Sequence, residues 1–250
     1  MTLLIFFNKC KQKNNWVDLT HTFNDSTIYW PNDPSNFKHT VNFWQQTPNG
    51  FFYASCSFAA PEHGGTHIDA PIHFAKDHWT VDQIPIQNLT GVAIMVDVSE
   101  NALKNKDYQI TLHDFLNYEN KFGQLEENSI IIFKTGYGQF YPNRSNCLGT
   151  DSLGEKALPL LHFPGIEPAL ASWLVKNRKP KLIGIDTPSL DFGQSTFFET
   201  HQIFLGNNIP GLENVANLDA IHSNKMNLIA LPFKIGKGSG GPVRIIAQEL

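Results

Sequence analysis

Hydrophobic residues in this chain fall into short runs separated by polar turns, and the period inside each run sets the element expected there. Gly91-Val92-Ala93-Ile94-Met95-Val96-Asp97-Val98 and Ser129-Ile130-Ile131-Ile132-Phe133-Lys134-Thr135-Gly136 are nearly continuous apolar stretches of strand length. Such runs mark strands buried on both faces. Leu182-Ile183-Gly184-Ile185 reads as a third strand, running into a turn through Asp186 and Pro188. Residues 16–21 predict a short strand before the polar turn Asn24-Asp25-Ser26. Residues 51–58 alternate around Tyr53, Ser55 and Ser57, the period of a strand. Residues 228–233 and 238–247 predict two strands paired across a glycine loop.

The helical signals are fewer. Residues 111–118 carry Thr111 as N-cap and Asp114 at the capping-box position. Residues 167–177 place Pro168 in the first turn, set Ala169, Leu170, Trp173 and Leu174 in one stripe, and end near Lys176 and Arg178. The strand–helix–strand order predicts α/β architecture, with a β-rich mixed sheet at the core and helices flanking it. Residues 138–154 show no periodicity and predict a long surface loop. No repeat, low-complexity tract or linker divides the chain, so residues 16–250 are expected to form one domain behind an N-terminal extension, residues 1–15.

Composition narrows the class. At 250 residues and 41% hydrophobic content, the chain can bury a large core. A formal net charge of -4 leaves no electrostatic footprint for nucleic acid and no polybasic patch for a membrane. The apolar run at residues 2–7 is shorter than a signal-peptide core, and no stretch approaches the length of a membrane span. Cys10, Cys56 and Cys147 are odd in number and form no CxxC pair, which argues against a disulfide framework or a cysteine zinc site. A protein of the reducing cytoplasm acting on a small molecule is the expectation.

The candidate chemistry is concentrated in Glu62-His63-Gly64-Gly65-Thr66-His67-Ile68-Asp69-Ala70-Pro71-Ile72-His73-Phe74. Gly64, Gly65 and Pro71 exclude a helix here, so an HxxxH helical metal site is not expected. In an extended chain His67 and Asp69 point to one side and Ile68 to the other. The glycines permit a bend that brings His63 round to them. The result is an N,N,O cluster suited to zinc, manganese or a similar divalent ion. Four ligand-type residues in so short a segment outweigh the alternative of an exposed loop with accidental spacing.

The pattern HxGTHxDxPxH, matched here from His63 to His73 at all seven fixed positions, resembles that of the metal-dependent cyclase family, which includes bacterial kynurenine formamidase and isatin hydrolase. The likeness runs from Trp16 to Ala247. It implies the family's swivelling β/β/α fold and a second ligand pair, His201 and Glu213, twelve residues apart. It also places Trp30, in Trp30-Pro31-Asn32-Asp33, in the substrate pocket, and gives His73 an acid/base role. Asn32 stands where many relatives have glycine, and Val215 where they have leucine. One or two ions per chain are expected; Asp69 has two oxygens and can bridge two, with His63 and His67 on one and His201 and Glu213 on the other. Pro71 sets His73 apart as a proton shuttle.

No GxSxG elbow is present, which argues against a serine mechanism. The resemblance implies hydrolysis of a C–N amide bond by metal-activated water. The leading expectation is an aryl formamide such as N-formylkynurenine, hence tryptophan catabolism. A cyclic amide such as isatin, or metal binding without turnover, is the alternative. A homo-oligomer, most simply a dimer, is implied by the way such a Trp30 segment can reach across a subunit boundary.

Overall fold

The computed structural model of the protein describes residues 16–250. The expected extension, with its apolar run and Cys10, lies outside the described residues. In chain order the elements are β1 (Val17–Asp18), the hairpin β2 (Lys38–Gln46) and β3 (Phe52–Ala59), β4 (His67–Asp69), β5 (Thr90–Asp97), α1 (Ser99–Ala102), β6 (Gln109–Ile110) and α2 (Leu112–Phe122). Then follow β7 (Ile130–Lys134), α3 (Arg144–Leu148), β8 (Gly165–Ile166), α4 (Pro168–Asn177), β9 (Leu182–Ile185), α5 (Glu199–Leu205), β10 (Gly211–Glu213), β11 (Lys225–Pro232) and β12 (Gly240–Glu249).

The main sheet is eight-stranded and mixed, in the order β1-β12-β11-β5-β7-β9-β10-β4, and β4 pairs with β12 as well. The strands from β12 round to β4 therefore close a ring, with β1 added outside β12. Strands β5, β7, β9 and β10 are parallel, while β11, β12 and β4 run antiparallel to their neighbours. This is the single-domain α/β architecture with a mixed sheet and flanking helices that the runs of apolar residues imply.

The period of the strands explains why those runs are continuous. Ala93, Met95, Ile130, Ile132 and Leu182 face one core, shared with Ile68, Leu212 and Ile245. Their neighbours Ile94, Val96, Ile131, Phe133, Ile183 and Ile185 face a second core, under Phe115 of α2 and Leu170 and Leu174 of α4. Each such aliphatic side chain contributes roughly 1.5–3 kcal/mol on burial. Helix α2 starts as its sequence predicts: the Thr111 hydroxyl accepts from the Asp114 N–H at 3.3 Å, and the Asp114 carboxylate accepts from the Thr111 N–H at 2.8 Å. It ends at Gly123, whose φ of 94° suits glycine.

Two regions depart from the sequence reading. Residues 138–154 are not a featureless surface loop: Asn143 caps α3 through a 2.9 Å bond from the Asn146 N–H, and Cys147 and Leu148 are buried with Ile28, Leu161 and Phe163. With Cys147 and Leu148 the two apolar positions of α3, periodicity could not register so short a helix. The second is β2, which pairs with β3 along its length but leaves both faces largely in solvent.

Candidate metal centre and pocket

Strand β4 is three residues long and pairs on both edges, so its side chains are fixed from either side. Ile68 points into the core and is fully buried, while His67 and Asp69 emerge together on the opposite face. On one edge Glu213 of β10 stands directly opposite His67. On the other, Gly240 of β12 stands opposite Asp69. A Cβ at Gly240 would lie 2.6 Å from the His63 ring, and one at Gly64 would lie 2.2 Å from the Tyr29 ring. Both glycines are required by close approach. Helix α5 brings in His201 from the far side.

The five expected ligands meet at hydrogen-bonding distance. His63 Nδ1 lies 2.7 Å from Asp69 Oδ1, and His67 Nε2 lies 3.3 Å from both Asp69 Oδ1 and Glu213 Oε2. His201 Nε2 is 3.2 Å from Asp69 Oδ2 and 2.9 Å from Glu213 Oε1. The split differs from the pairwise one drawn from sequence: His67 and His201 each face both carboxylates, while His63 faces Asp69 alone. His73 stacks on His63 with ring centroids 3.9 Å apart, and His63, Asp69 and His73 offer donor atoms within 4.8 Å of one another. The group His67, Asp69 and Glu213 does the same.

Each imidazole is oriented by a bond on its far nitrogen. His67 Nδ1 donates to the Gly65 carbonyl at 3.0 Å, and His201 Nδ1 donates to Asp191 Oδ2 at 2.6 Å. His63 Nε2 donates to Ser239 Oγ at 2.8 Å, and that hydroxyl donates to Glu62 Oε2 at 2.7 Å. The nitrogens left over are the ones that converge on the two carboxylates. Outer bonds of this kind fix the tautomer and orientation of metal-ligating histidines.

The donor set fits a divalent cation. His67, Asp69, His201 and Glu213 are all buried, and among the described residues no lysine or arginine lines the cavity around them. Burial disfavours the charged form of His67, yet the hydrogen bond and charge of Asp69 and the charge of Glu213 outweigh it and raise its pKa to about 9. For His201 burial is likewise outweighed, by Asp191, Asp69 and Glu213, and its pKa is raised well above the ordinary value. Burial would raise Asp69, but bonds from His201, His63 and His67 hold it well below the carboxylate range. Glu213 is raised by burial and by the Asp69 charge. The centre thus draws protons onto its imidazoles, a demand for positive charge that a metal ion meets.

Above the cluster is a cavity of about 260 Å³. Trp30 lines it, with its ring edge-on to Phe163 and to Phe198 at 6.2 and 6.1 Å between centroids. Phe74 packs 4.8 Å from His201 and 5.6 Å from Phe198. His73 keeps an exposed edge, while His63 and Phe74 close on its ring; this desolvation lowers its pKa to about 4. The structure thus brings His63, His67, Asp69, His73, His201, Glu213 and Trp30 to one site. Sequence reasoning passed over Asp191, Ser239, Glu62, Phe74, Phe198 and Asp33. Adjacency to the histidine motif was a signal for Glu62 and Phe74, and adjacency to Trp30 for Asp33; Asp191, Ser239 and Phe198 come from segments whose approach no spacing reveals.

A closed mixed sheet with a buried carboxylate–imidazole cluster at its rim defines a metal-binding α/β protein. Residues 17–192 match the Cyclase family model, and the chain belongs to that family. It is 27% identical over 207 residues to an isatin hydrolase of Roseibium aggregatum, covering 80% of this chain and 76% of the relative. It is 26% identical over 240 residues to a kynurenine formamidase of Bacillus cereus, covering 95% and 99%. The solved structure of isatin hydrolase A from Labrenzia aggregata bound to benzyl benzoate superposes with a TM-score of 0.84 at 27% identity, covering 94% of this chain and 93% of that one.

Proposed function

We propose that this protein is a metal-dependent hydrolase of a C–N amide bond in a small aryl amide, most simply an aryl formamide such as N-formylkynurenine. The observation that carries the reading is the buried set of His63, His67, Asp69, His201 and Glu213 under an aromatic-walled cavity. These residues would hold one or two zinc or manganese ions, and an ion so held lowers the pKa of a bound water from 15.7 toward ~7. Trp30, Phe74 and Phe198 offer apolar faces for an aryl ring and exclude water around the scissile amide. His73, at the cavity mouth with one edge free and its ring held neutral, is placed to take a proton from the attacking water and pass it to the departing nitrogen. Asp191 and Gly65 hold His201 and His67 by their outer nitrogens throughout.

The kinship with a kynurenine formamidase over nearly the full length of both chains supports the formamide. The superposition on isatin hydrolase A supports a second reading, the opening of a cyclic amide. Purified protein assayed on an aryl formamide and on a fused lactam, before and after chelation, separates them. Chelator-sensitive turnover of the formamide supports the first reading and of the lactam the second. No turnover of either, together with unfolding on chelation, would leave a structural metal site.

Hairpin β2–β3 supports a homo-oligomer. Trp44 is 62% exposed, Phe52 52%, Tyr53 50% and Phe58 56%. An isolated hairpin is marginal in water, and clustered exposed aromatics mark an interface. A dimer that covers these residues and works in the cytoplasm on its small substrate completes the reading. Light scattering tests it: a dimer for the native chain and a shift toward monomer for Trp44→Glu are expected, and a fully active monomer overturns it.

A further inference from the structure

The cavity above the metal centre has one charged side chain that the proposed chemistry leaves without a task. Asp33 lines the wall between Trp30 and the cluster, partly buried. Its backbone N–H donates to the Trp30 carbonyl at 3.1 Å, so a tight turn holds Asp33 beside Trp30 on the cavity wall. Among the described residues no lysine or arginine pairs with it, and the imidazoles of His63 and His67 in the same cavity are directed at Asp69 and Glu213.

A partly buried carboxylate without a cation of its own is costly to keep, and the expense falls when a ligand supplies the missing charge. The walls favour the same kind of ligand. Tyr29, Trp30 and Phe198 line the cavity, and an ammonium over an aromatic face is attracted by the ring quadrupole. Among the described residues no lysine or arginine lines the cavity; its imidazoles are turned to Asp69 and Glu213, away from the Asp33 wall. We propose that Asp33 is a specificity-determining residue which anchors a primary ammonium on the substrate's side chain, so that the pocket selects aryl amides carrying an amine over otherwise equal neutral ones. This rests on the amide-hydrolase reading and sharpens it, because an amine-bearing aryl formamide and an unsubstituted lactam differ in this feature.

The test uses metal-loaded protein and two ortho-acyl aryl formamides that differ only in a side-chain primary amine or a methyl in its place. Affinity by calorimetry and turnover are measured for both, in the native chain and in Asp33→Asn, together with metal content. The native chain is expected to favour the amine-bearing compound by roughly five- to tenfold in Kd and KM, a factor that corresponds to about 1–1.4 kcal/mol. In Asp33→Asn that ratio falls toward one while metal content is kept. A ratio near one in the native chain, or a ratio that survives in the variant, overturns the proposal. Loss of metal in the variant, with both compounds weakened alike, assigns Asp33 to the metal centre and also overturns it. If the amine-bearing compound binds more tightly through Asp33 and neither compound is hydrolysed, the ammonium anchor stands and the hydrolase reading falls.

Discussion

Asp191 grips His201 through a 2.6 Å bond to Nδ1 and takes the His201 backbone N–H at 3.1 Å, with both side chains buried. One carboxylate therefore sets the ring's rotation, its tautomer and the start of α5. Asp191→Asn keeps the shape and removes the charge. Metal affinity is expected to fall about 10–100-fold, the range for an outer partner of a ligating histidine. Titration with a competing chelator measures it, and unchanged affinity would free His201 from this control.

His67 and Asp69 share the face of β4 that receives Glu213 and His201. Replacing either with alanine is expected to abolish tight metal binding. Elemental analysis of the purified variants decides, and undiminished metal in both would remove β4 from the site.

His73 stands between two roles, because it stacks on His63 and also brings a donor atom within 4.8 Å of those of His63 and Asp69. As a proton shuttle, His73→Ala should keep most metal and lose roughly 10²–10⁴ in rate. Metal content measured beside kcat separates the roles, since a parallel loss of metal identifies a ligand.

Trp30→Ala should weaken substrate binding or turnover while leaving metal and fold intact. An aromatic contact contributes ~0.5–1.5 kcal/mol beyond area burial, so the expected rise in KM is about two- to tenfold. Saturation kinetics identical to those of the native enzyme would take Trp30 out of the substrate's path.

The metal-free protein should lose stability as pH rises. The His67 pKa is raised on folding from 6.5 to about 9, so its contribution is fully present below about pH 6.5 and is lost as pH climbs through 9. A metal ion displaces the same protons, and its affinity should increase over that window. Thermal melts of apo-protein between those pH values check the first statement; a flat Tm contradicts it.

The legible part of the site was the part built by strand periodicity. His67, Ile68 and Asp69 alternate in the sequence and alternate in β4, and the HxGTHxDxPxH pattern with the His201–Glu213 spacing covered the remaining ligands. Glu213 carries no signal of its own, because a three-residue strand such as β10 leaves no period to read. Asp191 and Ser239 act from loops distant in sequence from the motif they support. Strand β2 escaped because neither of its faces is buried, so its apolar and polar residues need not alternate, and α3 escaped because five residues carry too little pattern.

The double pairing of β4 also bears on the order of folding. His63 is held by Ser239, 176 positions later, and the same late strand flanks Asp69. A chain emerging from the ribosome can form β5, α2 and β7 long before it holds the strand that completes the ring. Contacts of such separation are slow to form. Until β12 arrives, His63 lacks its Ser239 partner and β4 lacks one of its two flanking strands, so the cage is finished by the last strand of the chain.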